Sequence, residues 1–211
     1  MKHAFLLCCT WLLALPSFGK TLPFFDTKDL SPYWPGEANS DTTRAPTKIP
    51  TLQFTDQDGN PVTEKNFDGK ISVVNFFFSQ CGTTCPVMME SLHRFQSETK
   101  KRGLASKIRF FSFSITPDQD TPATLKAYAQ EHGLGLSNWS LLTGQRSQIY
   151  ELGRNVFKAD RSVGPQKSQQ NFTHSNYVYL VDSQRKLRGI YQSTDPKQMK
   201  LLASDISTLQ K

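Results

Sequence analysis

Cysteine is scarce in this chain. Among 211 residues there are four, at positions 8, 9, 81 and 85. A secreted scaffold held together by disulfides carries more bridges than that, and a chain of this length buries a sizeable core without them. Long apolar runs are also lacking. The longest near the N-terminus, Ala4 to Leu15, has 12 residues, where a bilayer span takes about 20. Internal repeats are absent. Acidic residues are outnumbered, 18 against 25 basic ones, for a formal net charge of +7. No run concentrates that charge. It reads as a solvated basic surface, with attraction to an acidic partner or an anionic membrane face left open.

The N-terminus, MKHAFLLCCTWLLALPSFGK, has the pattern of a secretory signal. Lys2 gives the positive start, the apolar stretch follows, and Ser17 and Gly19 are small residues ahead of a cut before Lys20. The alternative is an uncleaved anchor. A lipoprotein site at Cys8 or Cys9 is disfavoured, because Leu6 and Leu7 are not the small residues such a site prefers. Export argues against a nucleic-acid partner. It also leaves Cys81 and Cys85 as the mature chain's two cysteines, able to pair only with each other. Such a lone pair in a large domain points to reactive rather than structural sulfur. The net charge falls to +6 once Lys2 leaves.

What is there is organised around residues 71 to 90, ISVVNFFFSQCGTTCPVMME. Ile71 to Phe78 is β-branched and aromatic and reads as a buried central strand. A polar loop then carries both cysteines, and Pro86 opens a helix. Proline favours the first helical position, which puts Cys85 at the N-cap. Both sulfurs then lie near exposed backbone N–H groups and the positive end of a helix dipole, a setting that favours thiolate.

Residues 20 to 47 carry no periodicity and read as an extended segment after a signal at 1 to 19, with Phe24, Phe25, Tyr33 and Trp34 available to dock on the domain. Residues 48 to 211 form that domain. Thr51 to Phe54 and Pro61 to Thr63 flank a DQDGN turn and predict a β-hairpin. Helices are expected from Pro86 to Arg102, Pro122 to His132, Gln145 to Asn155 and Asp195 to about Gln210. Strands are expected at Ile108 to Ile115, Trp139 to Leu142, Tyr177 to Val181 and Leu187 to Tyr191. Residues 157 to 173, broken by Gly164 and Pro165, read as a loop or loose hairpin. This order predicts an α/β, thioredoxin-like sandwich: a mixed central sheet, helices on both faces, and the hairpin as an N-terminal extension. Cysteines at the end of the first core strand fit, since open α/β sheets carry their sites at strand C-terminal ends.

The cysteine spacing is CxxxC. Three intervening residues bring Cα atoms within the roughly 4.4–6.8 Å that a disulfide needs. They also bring two thiolates onto one metal ion, and thiolates with imidazole suit copper. The motif alone leaves metal binding and plain redox both open. Of the three histidines past the signal, His93 is eight residues beyond Cys85 on one helix, about 12 Å along its axis, and cannot share a metal with it. His132 falls in the last turn of its helix, where it complements the dipole. His174 immediately precedes the strand YVYLV, in the loop that faces the cysteine motif in a thioredoxin-like fold, and is the candidate third ligand. Met88 and Met89 are more simply core residues than thioether ligands.

Taken together, FDGKISVVNFFFSQCGTTCP, SITPDQDTPATLKAY and FTHSNYVYLVD resemble the SCO/SenC family of copper chaperones, from about Lys48 to the C-terminus. The resemblance implies copper, as Cu(I) or also Cu(II), bound by Cys81, Cys85 and His174. It implies delivery to the dinuclear copper site of cytochrome c oxidase during assembly. It therefore implies an exported, periplasmic and monomeric protein, in which an uncleaved N-terminus would be a membrane tether. Its partners would be the copper-receiving subunit of a terminal oxidase and other copper or thiol-redox proteins. One departure is visible: Thr116 stands where the family commonly has an acid, while Asp120 is kept. The alternative function is a thiol–disulfide oxidoreductase that keeps a client's cysteines reduced, in which Cys81 and Cys85 are the redox-active pair. A third is an interaction module with a structural bridge.

Overall fold

The computed structural model describes residues 21–36, 43–160, 172 and 175–210. The proposed signal, most of the 157 to 173 loop and His174 lie outside them. Nine strands and four α-helices are ordered among the described residues: β1 (Phe24–Phe25), β2 (Pro32–Tyr33), β3 (Gln53–Asp56), β4 (Pro61–Thr63), β5 (Ile71–Phe77), α1 (Thr84–Lys101), β6 (Ile108–Ser114), α2 (Pro122–Glu131), β7 (Trp139–Thr143), α3 (Arg146–Glu151), β8 (Tyr177–Val181), β9 (Leu187–Gln192) and α4 (Pro196–Leu209).

Seven strands form one sheet in the order β4-β3-β7-β6-β5-β8-β9. β5, β6 and β7 run parallel, and β8, β9 and the β3–β4 hairpin are antiparallel additions. The expected mixed sheet with a hairpin extension is the observed one. β5 lies between β6 and β8 and is buried along its whole length. That explains its unbroken apolar run, since both faces of this strand are covered.

Alternation along β5 and β6 feeds two cores. Val73, Phe77 and Phe110 face α1, α2 and α4, packing with Met88, Met89, Leu92, Leu125 and Leu202. Val74, Phe76, Phe111 and Phe113 face the other way, against Phe67, Ile149, Tyr150, Leu152 and Phe157. Met88 and Met89 are buried, and each thioether faces the amide nitrogen of Asn75, at 3.8 and 3.7 Å. Both methionines therefore fill the core, as the simpler reading expects.

Two elements differ from expectation. The helix predicted from Gln145 to Asn155 is α-helical only to Glu151 and continues as a π-helical turn, Leu152–Val156. Periodicity cannot register this widening, which adds one residue to a turn without breaking the apolar pattern. The N-terminal segment pairs β1 with β2 as a small antiparallel ribbon. It docks on the domain: Arg188 of β9 donates to the carbonyls of Leu22 and Pro23, and its guanidinium lies 4.0 Å from the centroid of Phe24. Tyr33 is buried. Strands of two residues are too short for a sequence pattern to announce.

Candidate functional site

β5 ends at Phe77, and the chain crosses six residues to α1. Cys81 lies within this loop. Its backbone N–H donates to the carbonyl of Phe78 at 3.3 Å, closing a turn directly off the strand. α1 begins one residue earlier than Cys85, at Thr84, with Thr83 as its N-cap. Cys85 is therefore the second helical residue and not the N-cap, and Pro86 the third. The proline still fits, because N–H groups in the first turn have no intrahelical partner.

This shift by one position decides where each sulfur goes. Cys85 turns inward and is 1% exposed, within the core cluster that holds Met88 and Leu92. Cys81 is 8% exposed, and its sulfur accepts the backbone N–H of Cys85 at 3.4 Å. One first-turn donor of α1 is thus aimed at the Cys81 sulfur. The Thr83 hydroxyl lies 3.8 Å from the same atom. The two cysteines are thiols, not a disulfide. Gly82, Thr83, Thr84, Pro86 and Val87 are exposed around them, so the sulfurs sit just under the surface at the C-terminal end of β5.

The expectation of an activated thiolate fails for Cys85. Burial pushes its thiol well above the ordinary range. A backbone hydrogen bond with Phe78 opposes this, and Cys81 and Asp120 reinforce it. A helix N-terminus lowers a thiol's pKa where the sulfur remains solvated; in an apolar pocket desolvation wins.

A buried carboxylate braces the cysteine loop from below. Asp120 is 0% exposed. It accepts the Ser79 backbone N–H at 3.2 Å, the Thr116 hydroxyl at 3.1 Å, and the hydroxyls of Ser79 and Ser114. Ser79 belongs to the loop after β5, and Ser114 and Thr116 to the end of β6. One side chain therefore stitches together the exits of two adjacent parallel strands. The sequence marks Asp120 as an acid kept from the family pattern and as the residue before the Thr121 cap of α2, without showing what it holds. Thr116, the departure from the family pattern, is a donor in this cluster.

Of the other histidines, His132 caps the C-terminal end of α2 and lies 4.2 Å from the ring of Tyr128. His93 is partly buried on α1. Among the described residues, no three of His, Cys, Asp and Glu converge as a metal site. The structure brings Cys81 and Cys85 together, while His174 is outside the described residues. Its described neighbours in sequence are ordered: Phe172 packs into the second core cluster and Ser175 is buried. Also among the described residues, no helix is long and apolar enough to cross a membrane.

Comparison with known proteins places this geometry. Residues 40–210 match the SCO1/SenC family. The SCO1 protein homolog of Bacillus subtilis is 28% identical over 162 residues, covering 76% of this chain and 82% of that one. The solved structure of a SCO1/SenC family lipoprotein from Bacillus anthracis strain Ames superposes with a TM-score of 0.69 at 32% identity, over 78% of this chain and 95% of that chain. BsSco, described with a disulfide switch as a member of the Sco family of cytochrome c oxidase assembly proteins, superposes with a TM-score of 0.65 at 26% identity, over 77% and 92% of the two chains. A match over most of the chain, with the paired cysteines at the same strand end that the sequence singled out, shows that this protein belongs to the SCO1/SenC family.

Proposed function

We propose that this protein is an exported copper metallochaperone. It takes up copper through Cys81, Cys85 and His174, and hands it to the dinuclear copper site of a terminal oxidase during assembly. The observation that carries this reading is the cysteine pair itself: two adjacent thiols at a strand end, one sulfur facing a helix N-terminal amide, with a thin exposed loop above them. Two thiolates form a soft donor set suited to Cu(I), and an added imidazole keeps the site suited to copper. The assembly role named for BsSco supports the same client.

The buried Cys85 thiol has a consequence for loading. It holds its proton at neutral pH, so metal must displace that proton as it binds. Copper uptake releases protons and weakens as pH falls. A disulfide between Cys81 and Cys85 removes both thiolates, and redox state thereby gates loading.

The test is copper stoichiometry on the purified exported protein. Reduced protein is expected to bind one copper ion. Protein fully oxidised at Cys81 and Cys85, verified by thiol titration, is expected to bind little. Equal uptake in the two states would remove the two-thiolate site. His174→Ala is expected to weaken copper binding by about tenfold or more and to lose nitrogen coupling in the Cu(II) electron paramagnetic resonance spectrum. The oxidoreductase reading needs only the cysteines. It gains if His174→Ala loses copper yet supports oxidase assembly fully.

A further inference from the structure

α1 and α4 pack into the same core on one face of the sheet. They also run in the same direction. β9 is antiparallel to β8, and β8 to β5, so β9 is parallel to β5. Each helix follows its strand, and both therefore begin at the end of the sheet that carries the cysteines. The Ser91 hydroxyl of α1 donates to the carbonyl of Ser193, just ahead of α4, at 2.6 Å. Small side chains on the facing sides, Ser91, Ala203, Ser204 and Ser207, leave the space between the helices unfilled, and a groove of about 860 Å³ remains. Its lining runs along α1 from Val87 to Arg102, a length of about 22 Å at the α-helical rise.

The groove is apolar at its base and basic along its sides. Phe95 and Met199, both buried, form the floor. Val87 is 53% exposed and lines the end nearest the cysteines, two residues beyond Cys85. One exposed valine is ordinary on a protein surface. This one carries the apolar floor outward to the cysteine loop. Three cations line the groove, Arg94, Arg102 and Lys200, against one carboxylate, Glu98. Arg94 meets Glu90 at 3.8 Å with both side chains mostly exposed, and such a pair is held weakly. Neither Arg102 nor Lys200 is in an ion pair among the described residues.

We propose that this groove docks an extended, acidic segment of the client protein, with carboxylates on Arg94, Arg102 and Lys200 and apolar side chains on Val87, Phe95 and Met199. This rests on the reading above that a client approaches Cys81 and Cys85, and it names the chemistry that holds the client there. An extended segment of about six or seven residues spans the groove. Seated along α1, its end at Val87 lies within one helical turn of Cys85, two residues away. A narrow cleft between two helices fits a single chain, whereas a bilayer face needs a flat or convex surface to meet it. Complementary charge steers the encounter and rejects partners of the wrong sign.

The experiment measures, by fluorescence anisotropy, binding of a fluorescein-labelled octapeptide of alternating Glu and Leu to the reduced, full exported chain. An alternating Lys and Leu octapeptide is the control. The acidic peptide is expected to bind at least about tenfold more tightly than the basic one, and less tightly as salt rises. Lys200→Glu should lose about fivefold, Arg94→Glu with Lys200→Glu about tenfold or more, and Val87→Ser about threefold. Lys65→Glu makes the same charge change as Lys200→Glu, but just after β4, at the opposite edge of the sheet from β9 and α4. It should stay within about twofold of wild type. No binding of the acidic peptide overturns the proposal, as does equal affinity for the two peptides. Equal losses in Lys200→Glu and Lys65→Glu also overturn it, because net charge alone then acts. So does binding to phosphatidylglycerol vesicles that Lys200→Glu weakens, where the acidic peptide fails to bind. Copper stoichiometry of the same samples separates this proposal from the reading it rests on. Variants that lose the peptide and keep their copper support the groove and leave that reading standing. Wild-type protein that takes up no copper removes the copper reading, whatever the peptide does.

Discussion

The Ser79–Cys85 loop and Phe172 are both fixed to the C-terminal end of β5, and by opposite kinds of chemistry. The loop is held from beneath by Asp120, a fully buried carboxylate that takes one backbone N–H and three hydroxyls. Phe172 is held by two rings, those of Phe76 and Tyr150, and by the Arg154 guanidinium, with no hydrogen bond required of its side chain. A hydrogen-bonded carboxylate is directional: it fixes distances and tolerates little change. Aromatic packing is strong in aggregate but spreads over many weak contacts, and it tolerates substitutes of similar volume.

The largest expected effect breaks the polar side. Asp120→Ala leaves a buried backbone N–H and several hydroxyls without their acceptor, and should cost roughly 3 kcal/mol of unfolding free energy. Asp120→Asn, nearly isosteric, should cost almost as much. Its amide keeps one acceptor oxygen and turns two hydrogens toward donors that already carry their own. Chemical denaturation of the reduced protein measures both. An Asp120→Asn variant of wild-type stability would show that shape, not charge-assisted hydrogen bonding, holds the loop.

An intermediate effect tests the aromatic side. Phe172→Leu should lose only about 1 kcal/mol, because Phe172 is partly exposed and a volume-similar side chain can reuse its space. Gly153→Ala is the sharper variant. Replacing glycine by alanine within a helix ordinarily stabilises by about 0.5–1 kcal/mol. Here the added methyl meets the Phe172 ring at 2.6 Å, so the sign should reverse to a loss of about 1–2 kcal/mol. In a Phe172→Ala background the ordinary sign should return. Thermal melts of the four proteins in this cycle read the reversal directly, and a stabilised Gly153→Ala single variant would show that the ring yields easily.

The two regions were also unequally legible from sequence. The CxxxCP loop is announced by the strand before it and the proline after it, so its place in the fold was fixed by local pattern. What the pattern could not resolve was one helical residue: α1 starts at Thr84 and turns Cys85 into the core, which reverses the expected direction of its thiol pKa. Burial is a tertiary property, and a helix-terminus argument alone omits it. Asp120 stands out in the sequence as an acid kept from the family pattern, one residue before a helix cap, but with no partner named for it. Its role depends on β5 and β6 being parallel neighbours, which brings Ser79 and Ser114 to one point. Phe172 and Gly153 are separated by 19 positions, and their fit depends on a π-helical turn that leaves no trace in periodicity. The β3–β4 hairpin, by contrast, follows from two runs and a turn that are local.

The smallest expected effect sharpens the comparison by pH. Tyr128 is nearly buried beside the cysteines, and burial raises its hydroxyl above the ordinary value near 10. Negative charge on Cys85, Cys81 or Asp120 would raise it further. Across the domain, Tyr191 is raised by burial and by its hydrogen bond to Asp205 at 2.7 Å. A raised folded-state pKa means that both groups keep their protons in the folded protein after the unfolded chain has lost them. Their contribution to stability is complete below about pH 9 and is lost as pH climbs past the unfolded value near 10. Each such proton steepens the loss by up to about 1.4 kcal/mol per pH unit. Tyr128→Phe should therefore flatten the decline between about pH 10 and 11 by up to one proton's worth, and Tyr191→Phe by a similar amount. The two should differ at one point. Oxidising Cys81 and Cys85 to the disulfide removes two ionisable neighbours of Tyr128 and none of Tyr191. The alkaline slope of the Tyr191→Phe variant, which still carries Tyr128, should then change on oxidation, while the part due to Tyr191, read in Tyr128→Phe, should differ only by the loss of the thiols themselves. Denaturant unfolding at stepped pH, in both redox states, measures these slopes. Identical alkaline slopes in wild type and Tyr128→Phe would show that Tyr128 ionises as freely in the folded protein as in the unfolded chain.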